Sequence, residues 1–181
     1  MTTAGERLEF LELLALAPGS RLLEVADGRV DAPDDSCDAV MCLDGIARVA
    51  DRAAALAEWA RVLKPGGKIL YTDPAIVAGL VTGEEIAARG GGGLFVIAPQ
   101  GENEGLIEAA GLWLKRADDA TEALAAAASE LMSGRAGREA ELVASEGPAA
   151  FDSRQRSLAM THRLAVERRL VRIAFLAEKP A

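Results

Sequence analysis

Aromatic residues are scarce in this sequence and make up only 4% of its 181 residues. Half of the residues are apolar, so the core has to be built mainly from Leu, Val, Ile and Ala. A chain of this length is large enough to bury about 70% of its unfolded surface in one domain. We therefore predict a single domain over residues 1–181.

Cysteine and histidine are scarce as well, with two cysteines and one histidine in the whole chain. Cys37 and Cys42 are too few for a disulfide framework, and their spacing matches no metal motif, so we expect no metal. His162 is a candidate general base. It lies among arginines without an evident carboxylate partner, and a structural role is the competing interpretation.

Long apolar runs are absent, because no stretch approaches the roughly 20 residues that span a bilayer. The first ten residues also lack the basic region and apolar core of a secretory signal. We expect no membrane partner and a cytoplasmic protein. The net charge of −8 argues against a general nucleic-acid surface, which should be basic.

Positive charge is nevertheless concentrated at one end. Residues 151–181 hold seven Lys and Arg against three Asp and Glu, so this end carries +4 and the rest of the chain −12. Three interpretations stay open for it: a surface that receives an acidic substrate, a partner for the protein's own acidic face, or a solvated helix face.

Apolar periodicity predicts strands that alternate with helices, which is typical of an α/β fold with a largely parallel sheet. We expect the turn "KPGG" at 64–67, and Pro74 to end the strand that follows it. The predicted strands are 22–25, 38–43, 68–74, one beginning at 112, and 169–179. The predicted helices are 6–17, 51–64, one from Thr82 to the glycines at 90–93, 101–111, 121–133, 139–146 and 152–167.

One long segment, "APDDSCDAVMCLDGIARVADRAAALAEWARVLKPGGKILYTDP", resembles class I S-adenosylmethionine-dependent methyltransferases of the small-molecule type. It matches the approach to the family's fourth strand, an aspartate at the end of that strand, a helix, and R-V-L-K-P-G-G before the fifth strand. "APGSRLLEV" resembles the first strand more weakly. "AGLWLKRADDAT" and "ERRLVRIAFLAEKP" resemble the sixth strand and the antiparallel seventh.

The resemblance implies a Rossmann-like methyltransferase sheet, mostly parallel with an antiparallel C-terminal strand and reduced to about five strands. Residues of about 121–167 would form a helical insert that covers the substrate. The implied cofactor is S-adenosylmethionine, and the implied reaction is methyl transfer to a small-molecule substrate. The implied donor-side residues are Glu24, Asp27 and Asp44, with Asp73 and His162 as substrate-side candidates. For each of these, a structural role such as capping a helix or solvating a loop is the alternative.

The sequence departs from the family after Val25. Ala26-Asp27-Gly28 stands where the family has G-x-G-x-G, and the second and third strands are missing. Parallel neighbours need a crossover of about a dozen residues, usually helical. Residues 26–37 show no helical pattern, so we expect an extended return at the limit of its reach. Otherwise strand 22–25 pairs antiparallel or with another chain.

An apolar strand at the edge of the shortened sheet predicts a homodimer, strand exchange, or a cover by helix 6–17. Three origins stay open for the gap: a real deletion that impairs donor binding, another route to the donor completed by a partner chain, or a further segment between Val25 and Ala26 that the sequence omits. The functions that follow are a small-molecule methyltransferase or a non-catalytic binding or oligomerisation module.

Overall fold

The computed structural model describes residues 4–181, which form a six-stranded mixed sheet with helices packed on it. The strands are β1 (Leu22–Glu24), β2 (Cys37–Leu43), β3 (Leu63–Val77), β4 (Ala98–Pro99), β5 (Trp113–Asp119) and β6 (Leu170–Glu178). The helices are α1 (Ala4–Leu14), α2 (Arg52–Val62), α3 (Gly83–Gly90), α4 (Glu102–Ala109), α5 (Thr121–Ala136), α6 (Glu139–Glu146) and α7 (Pro148–Val166). A single 3-10 turn covers Ile46–Arg48.

The strand order is β1-β2-β3-β6-β5, and β4 adds two residues beside β3. β1, β2 and β3 are parallel, whereas β6 is antiparallel to both of its neighbours. The predicted methyltransferase-type sheet with an antiparallel C-terminal strand is therefore confirmed, with the short β4 as an addition.

β1 pairs with β2 in parallel, with Leu23 opposite Val40. The alternatives of antiparallel pairing, or of pairing only with another chain, are therefore wrong for the described residues. Glu24, the last residue of β1, lies opposite Met41, and β2 begins four residues earlier at Cys37. The loop must therefore return by roughly 13 Å along the strand direction, at about 3.3 Å per residue. The loop of residues 25–36 could span about 40 Å. The return is thus well within reach, because β1 is only three residues long.

The loop of residues 25–36 needs no helix because hydrogen bonds hold both of its ends. The Val25 amide donates to the Met41 carbonyl at 2.9 Å, and the Ser36 amide donates to the Val62 carbonyl at 2.9 Å.

α1 packs Phe10 and Leu14 into an apolar cluster on one face of the sheet. The helix predicted over 6–17 therefore covers one face of the sheet.

Two predicted boundaries of the third strand are wrong. β3 begins at Leu63 and continues through Pro74 to Val77. "KPGG" is held beside β6, because the Gly66 amide donates to the Lys179 carbonyl at 2.9 Å and the Lys179 amide to the Gly67 carbonyl at 2.8 Å. Pro74 lies at a shift in the β3–β6 register, where its missing N–H interrupts no regular ladder.

The few aromatic residues are concentrated at the centre of the core. The Tyr71 ring of β3 stacks on Phe175 of β6, with centroids 5.1 Å apart, and meets the Trp59 ring of α2 edge-on at 5.9 Å. All three side chains are buried. This cluster joins α2 to two strands of the sheet.

We expect Trp59→Ala to lower the free energy of unfolding by about 3–5 kcal/mol, because it leaves a large cavity in the core. Trp113→Ala is the matched control, since Trp113 lies on β5 and is 57% exposed. It should change stability by no more than about 0.5 kcal/mol. Urea unfolding measures both, and similar losses in the two variants would contradict this packing.

Candidate functional site

The carboxyl ends of β1, β2 and β3 lie at one edge of the sheet, where open α/β sheets usually bind ligands. The sequence placed candidate acids along this edge. The structure gives these acids very different surroundings.

Asp44 follows the last residue of β2 and is 9% exposed, in a left-handed backbone conformation with φ of 59°. Its amide donates to the Thr72 hydroxyl oxygen, and that hydroxyl donates to its carboxylate, both at 2.8 Å. Burial alone would raise the pKa of Asp44. Nearby positive charge, including that of Arg172, and the Thr72 hydroxyl together hold this pKa below its usual value. The carboxylate is therefore ionised at neutral pH.

Arg172 is the buried cation behind Asp44. It lies in the middle of β6 with 0% exposure, pairs with Glu6 of α1, and places its Nε 3.7 Å from an Asp44 carboxylate oxygen. Arg172 is not among the site residues predicted from the sequence. The available signal was one arginine inside the apolar run of β6, because such a charge is rarely buried without a partner.

The other donor-side candidates have local contacts. Glu24 is half exposed and pairs with Arg7 of α1. Asp27 is exposed, and its carboxylate accepts a hydrogen bond from the Arg29 amide at 3.0 Å, as in an Asx turn. A donor-binding role for either residue stays a prediction.

Asp73 is sealed inside the protein. Its carboxylate accepts from Arg52 at 2.5 Å, from the Asn103 amide group at 2.9 Å and from the Ala75 backbone amide at 3.0 Å. Arg52 also donates to the Val96 carbonyl at 2.6 Å. This network joins α2, β3 and α4, which favours a structural role for Asp73 over its predicted place on the substrate side.

His162 lies on α7, the helix that also carries Ser157 beside the carboxylate edge. Five residues separate the two, which turns the side-chain direction by roughly 500°, or about 140° around the helix. His162 therefore points away from the direction of Ser157. Its substrate-side role stays a prediction without a supporting contact.

The crevice between the ends of β1 and β2 is filled by the chain itself. A Cβ on Gly45 would lie 2.5 Å from the Ala26 carbonyl oxygen and 2.7 Å from the Cys42 sulfur. A Cβ on Gly28 would lie 3.0 Å from that of Ala55. The loop after β1 therefore packs directly against the elements that follow β2.

A small cavity of about 80 Å³ remains at this edge, lined in part by Asp44, Arg48, Arg89, Phe95 and Ser157. Pockets for drug-sized ligands measure about 300–1,000 Å³. This cavity therefore has room for a small polar group.

Residues 8–71 match the family model described as a methyltransferase domain. Over these residues the chain resembles class I S-adenosylmethionine-dependent methyltransferases. Over 55 residues the chain is 44% identical to the dimethylglycine N-methyltransferase of Parasynechococcus marenigrum (strain WH8102). That match covers 30% of the chain and 20% of the curated relative.

Solved structures agree with the methyltransferase fold. Phosphoethanolamine N-methyltransferase 2 from Haemonchus contortus, with phosphomonomethylethanolamine and S-adenosylhomocysteine bound, superposes with a TM-score of 0.84 at 14% identity. The match covers 98% of this chain and 53% of that one. A cyclopropane synthase from Mycobacterium tuberculosis gives 0.81 at 14% identity, over 98% of this chain and 86% of that one. The chain thus spans about half the length of the Haemonchus protein.

These matches support S-adenosylmethionine as the cofactor of the methyltransferase family, and another structure of the Haemonchus enzyme contains it. In the described part of the chain, the Ala26 carbonyl packs against Gly45 between the segments that follow β1 and β2. The adjoining cavity of about 80 Å³ is too small to enclose the whole of that molecule.

Among the described residues, no helix has the length and apolar character needed to cross a membrane.

Most arginines of the C-terminal end have acidic partners within the chain. Arg163 and Arg169 both pair with Glu85 of α3, and Arg168 pairs with Asp119 of β5. Of the three interpretations of this end, the structure supports pairing with the protein's own acids.

We expect Asp73→Ala to lower the free energy of unfolding by about 3–5 kcal/mol, because it leaves Arg52 buried without its carboxylate. Asp118→Ala is the control, since Asp118 and its partner Arg116 are both about half exposed. That change should cost less than about 1 kcal/mol. Urea unfolding measures both variants. A stable Asp73→Ala protein would contradict the structural role.

Proposed function

We propose that this chain is a methyltransferase-family protein that holds a small polar molecule at the carboxyl edge of β2 and β3, and whose donor binding is impaired. The observation that carries the proposal is the contact of the Ala26 carbonyl with Gly45. It closes the crevice in which an open α/β sheet would take a cofactor.

The shortened sheet supports impaired binding independently. β1 has a strand partner on one side only within the described residues, because β2 is its sole neighbour. The family strands that would stand beyond β1 have no counterpart here. In the family, an acidic residue that ends one of those strands holds the donor's ribose, and that acid has no counterpart among the described residues.

A small-molecule substrate is supported by the relatives. The similar proteins are named for methylation of dimethylglycine and of phosphoethanolamine, which are small polar molecules. The cavity beside Asp44 has a matching scale, since about 80 Å³ admits a polar group of a few atoms. Within this site, the chain's own residues bind and orient the polar group, and α3 and α7 exclude water from it.

A second function has one observation in its favour. The outer edge of β1 carries Leu22 and Leu23, each only partly buried, and no described strand pairs with that edge. Unpaired apolar edges are templates for pairing with another chain. We propose that a second copy pairs there, so that the protein acts as an oligomerisation module if it has lost catalysis.

Calorimetric titration with S-adenosylmethionine tests the impaired donor site. We expect no saturable binding at micromolar donor, and a dissociation constant weaker than about 1 mM. The dimethylglycine N-methyltransferase of Parasynechococcus marenigrum, titrated in the same buffer, is the positive control. Micromolar binding by this chain would refute the proposal and favour the plain enzyme interpretation.

Light scattering tests whether two copies of the chain pair through the outer edge of β1. We expect twice the monomer mass at high protein concentration. Leu22→Pro should shift the protein toward monomer, because proline cannot donate a hydrogen bond across the edge and restricts the strand. Asp31→Pro, in the exposed loop after β1, is the control for a proline placed nearby. A monomer at every concentration would exclude the oligomerisation function.

A further inference from the structure

The cavity beside Asp44 is enclosed by three parts of the chain. Arg48 stands at the end of the 3-10 turn after β2, Arg89 and Gly90 end α3, and Ser157 faces them from α7. The Ser157 hydroxyl donates to the Arg89 carbonyl at 2.7 Å, which fixes the end of α3 against α7. The position of Arg89 is therefore set by the fold.

Arg48 and Arg89 differ from the arginines of the C-terminal end. Within residues 4–181, neither has a carboxylate oxygen within 4 Å of its guanidinium group, whereas Arg163, Arg168 and Arg169 all do. Arg89 is partly buried and lies over the Phe95 ring, with its guanidinium carbon 4.7 Å from the ring centroid. Burial lowers the pKa of Arg89 to about 10, as expected for a cation without a nearby anion in contact.

Asp44 attracts Arg89 electrostatically but offsets these charges only in part, because its carboxylate is also engaged elsewhere. It interacts with the Thr72 hydroxyl and with Arg172, and Arg172 also pairs with Glu6. Glu6, Asp44 and Arg172 together carry one negative charge, while Arg48 and Arg89 carry two positive charges. The cavity therefore keeps an excess of positive charge at the end of β2.

We infer that this cavity is a binding site for an oxyanion, either the carboxylate or the phosphate group of a small molecule. Guanidinium groups bind both groups through paired, charge-assisted hydrogen bonds. A space of about 80 Å³ admits the anionic group and leaves the rest of the molecule outside. The inference rests on the proposed function only for the place where a small molecule binds, and it requires no methyl donor.

Titration of the donor-free protein with inorganic phosphate and, separately, with acetate tests this site at constant ionic strength. We expect saturable binding of at least one anion at millimolar concentration. Tighter binding of phosphate or of acetate identifies which group, phosphate or carboxylate, the site prefers. Methylammonium chloride is the comparison of opposite charge and should not bind. Arg89→Gln should weaken anion binding about tenfold, since hydrogen bonds to charged groups are lost.

Arg21→Gln is the matched control, because Arg21 is exposed and lies before β1 at the opposite edge of the sheet. It should leave anion binding unchanged. Should Arg89→Gln fail to fold, Arg48→Gln replaces it, since Arg48 is exposed. Absence of anion binding, equal binding by the variant, or preferential binding of methylammonium would each overturn the inference. None of these results depends on whether S-adenosylmethionine binds, so failure here and failure of the donor proposal are separate.

Discussion

The short parallel pairing of β1 with β2 is the constraint on which the rest of the carboxyl edge depends. β1 has three residues, so residues 25–36 return without a helix and remain hydrogen-bonded at both ends. The same short return brings the Ala26 carbonyl against Gly45. A longer first strand with a helical crossover would have kept these two segments apart, with room for a ligand between them.

The core tolerates this shortening because it lies elsewhere. The aromatic cluster of Trp59, Tyr71 and Phe175 joins α2, β3 and β6, and the buried Asp73 network joins β3 to α2 and α4. Neither includes a residue of β1. The central packing therefore does not depend on β1 or on what would lie beyond it.

Most of the fold could be predicted from the sequence, because local patterns specify it. Asp51 accepts a hydrogen bond from the Ala54 amide as the predicted cap of α2, and Thr82 and Glu85 form the predicted capping box of α3. The failures were non-local. Pro74 stays within β3 because its register shift depends on β6, and no local rule reports how a distant strand pairs.

The candidate site was harder to predict for the same reason. An acid after a strand is visible in the sequence, but its partner is not. Asp73 and Asp44 look alike as residues at strand ends. Asp73 is nevertheless sealed by Arg52 and Asn103, whereas Asp44 borders a cavity.

The arginines near this edge differ in whether carboxylates of the chain balance their positive charge. A buried or half-buried arginine is costly unless an anion compensates it. Arg172 has Glu6 and Asp44, and Arg169 has Glu85 and Glu167, so these cations are explained by the chain alone. Arg89 has an aromatic ring and no described carboxylate in contact, and a ring compensates a cation less fully than an anion does. Because α7 fixes the position of Arg89, we infer that the anion that compensates its charge comes from a ligand.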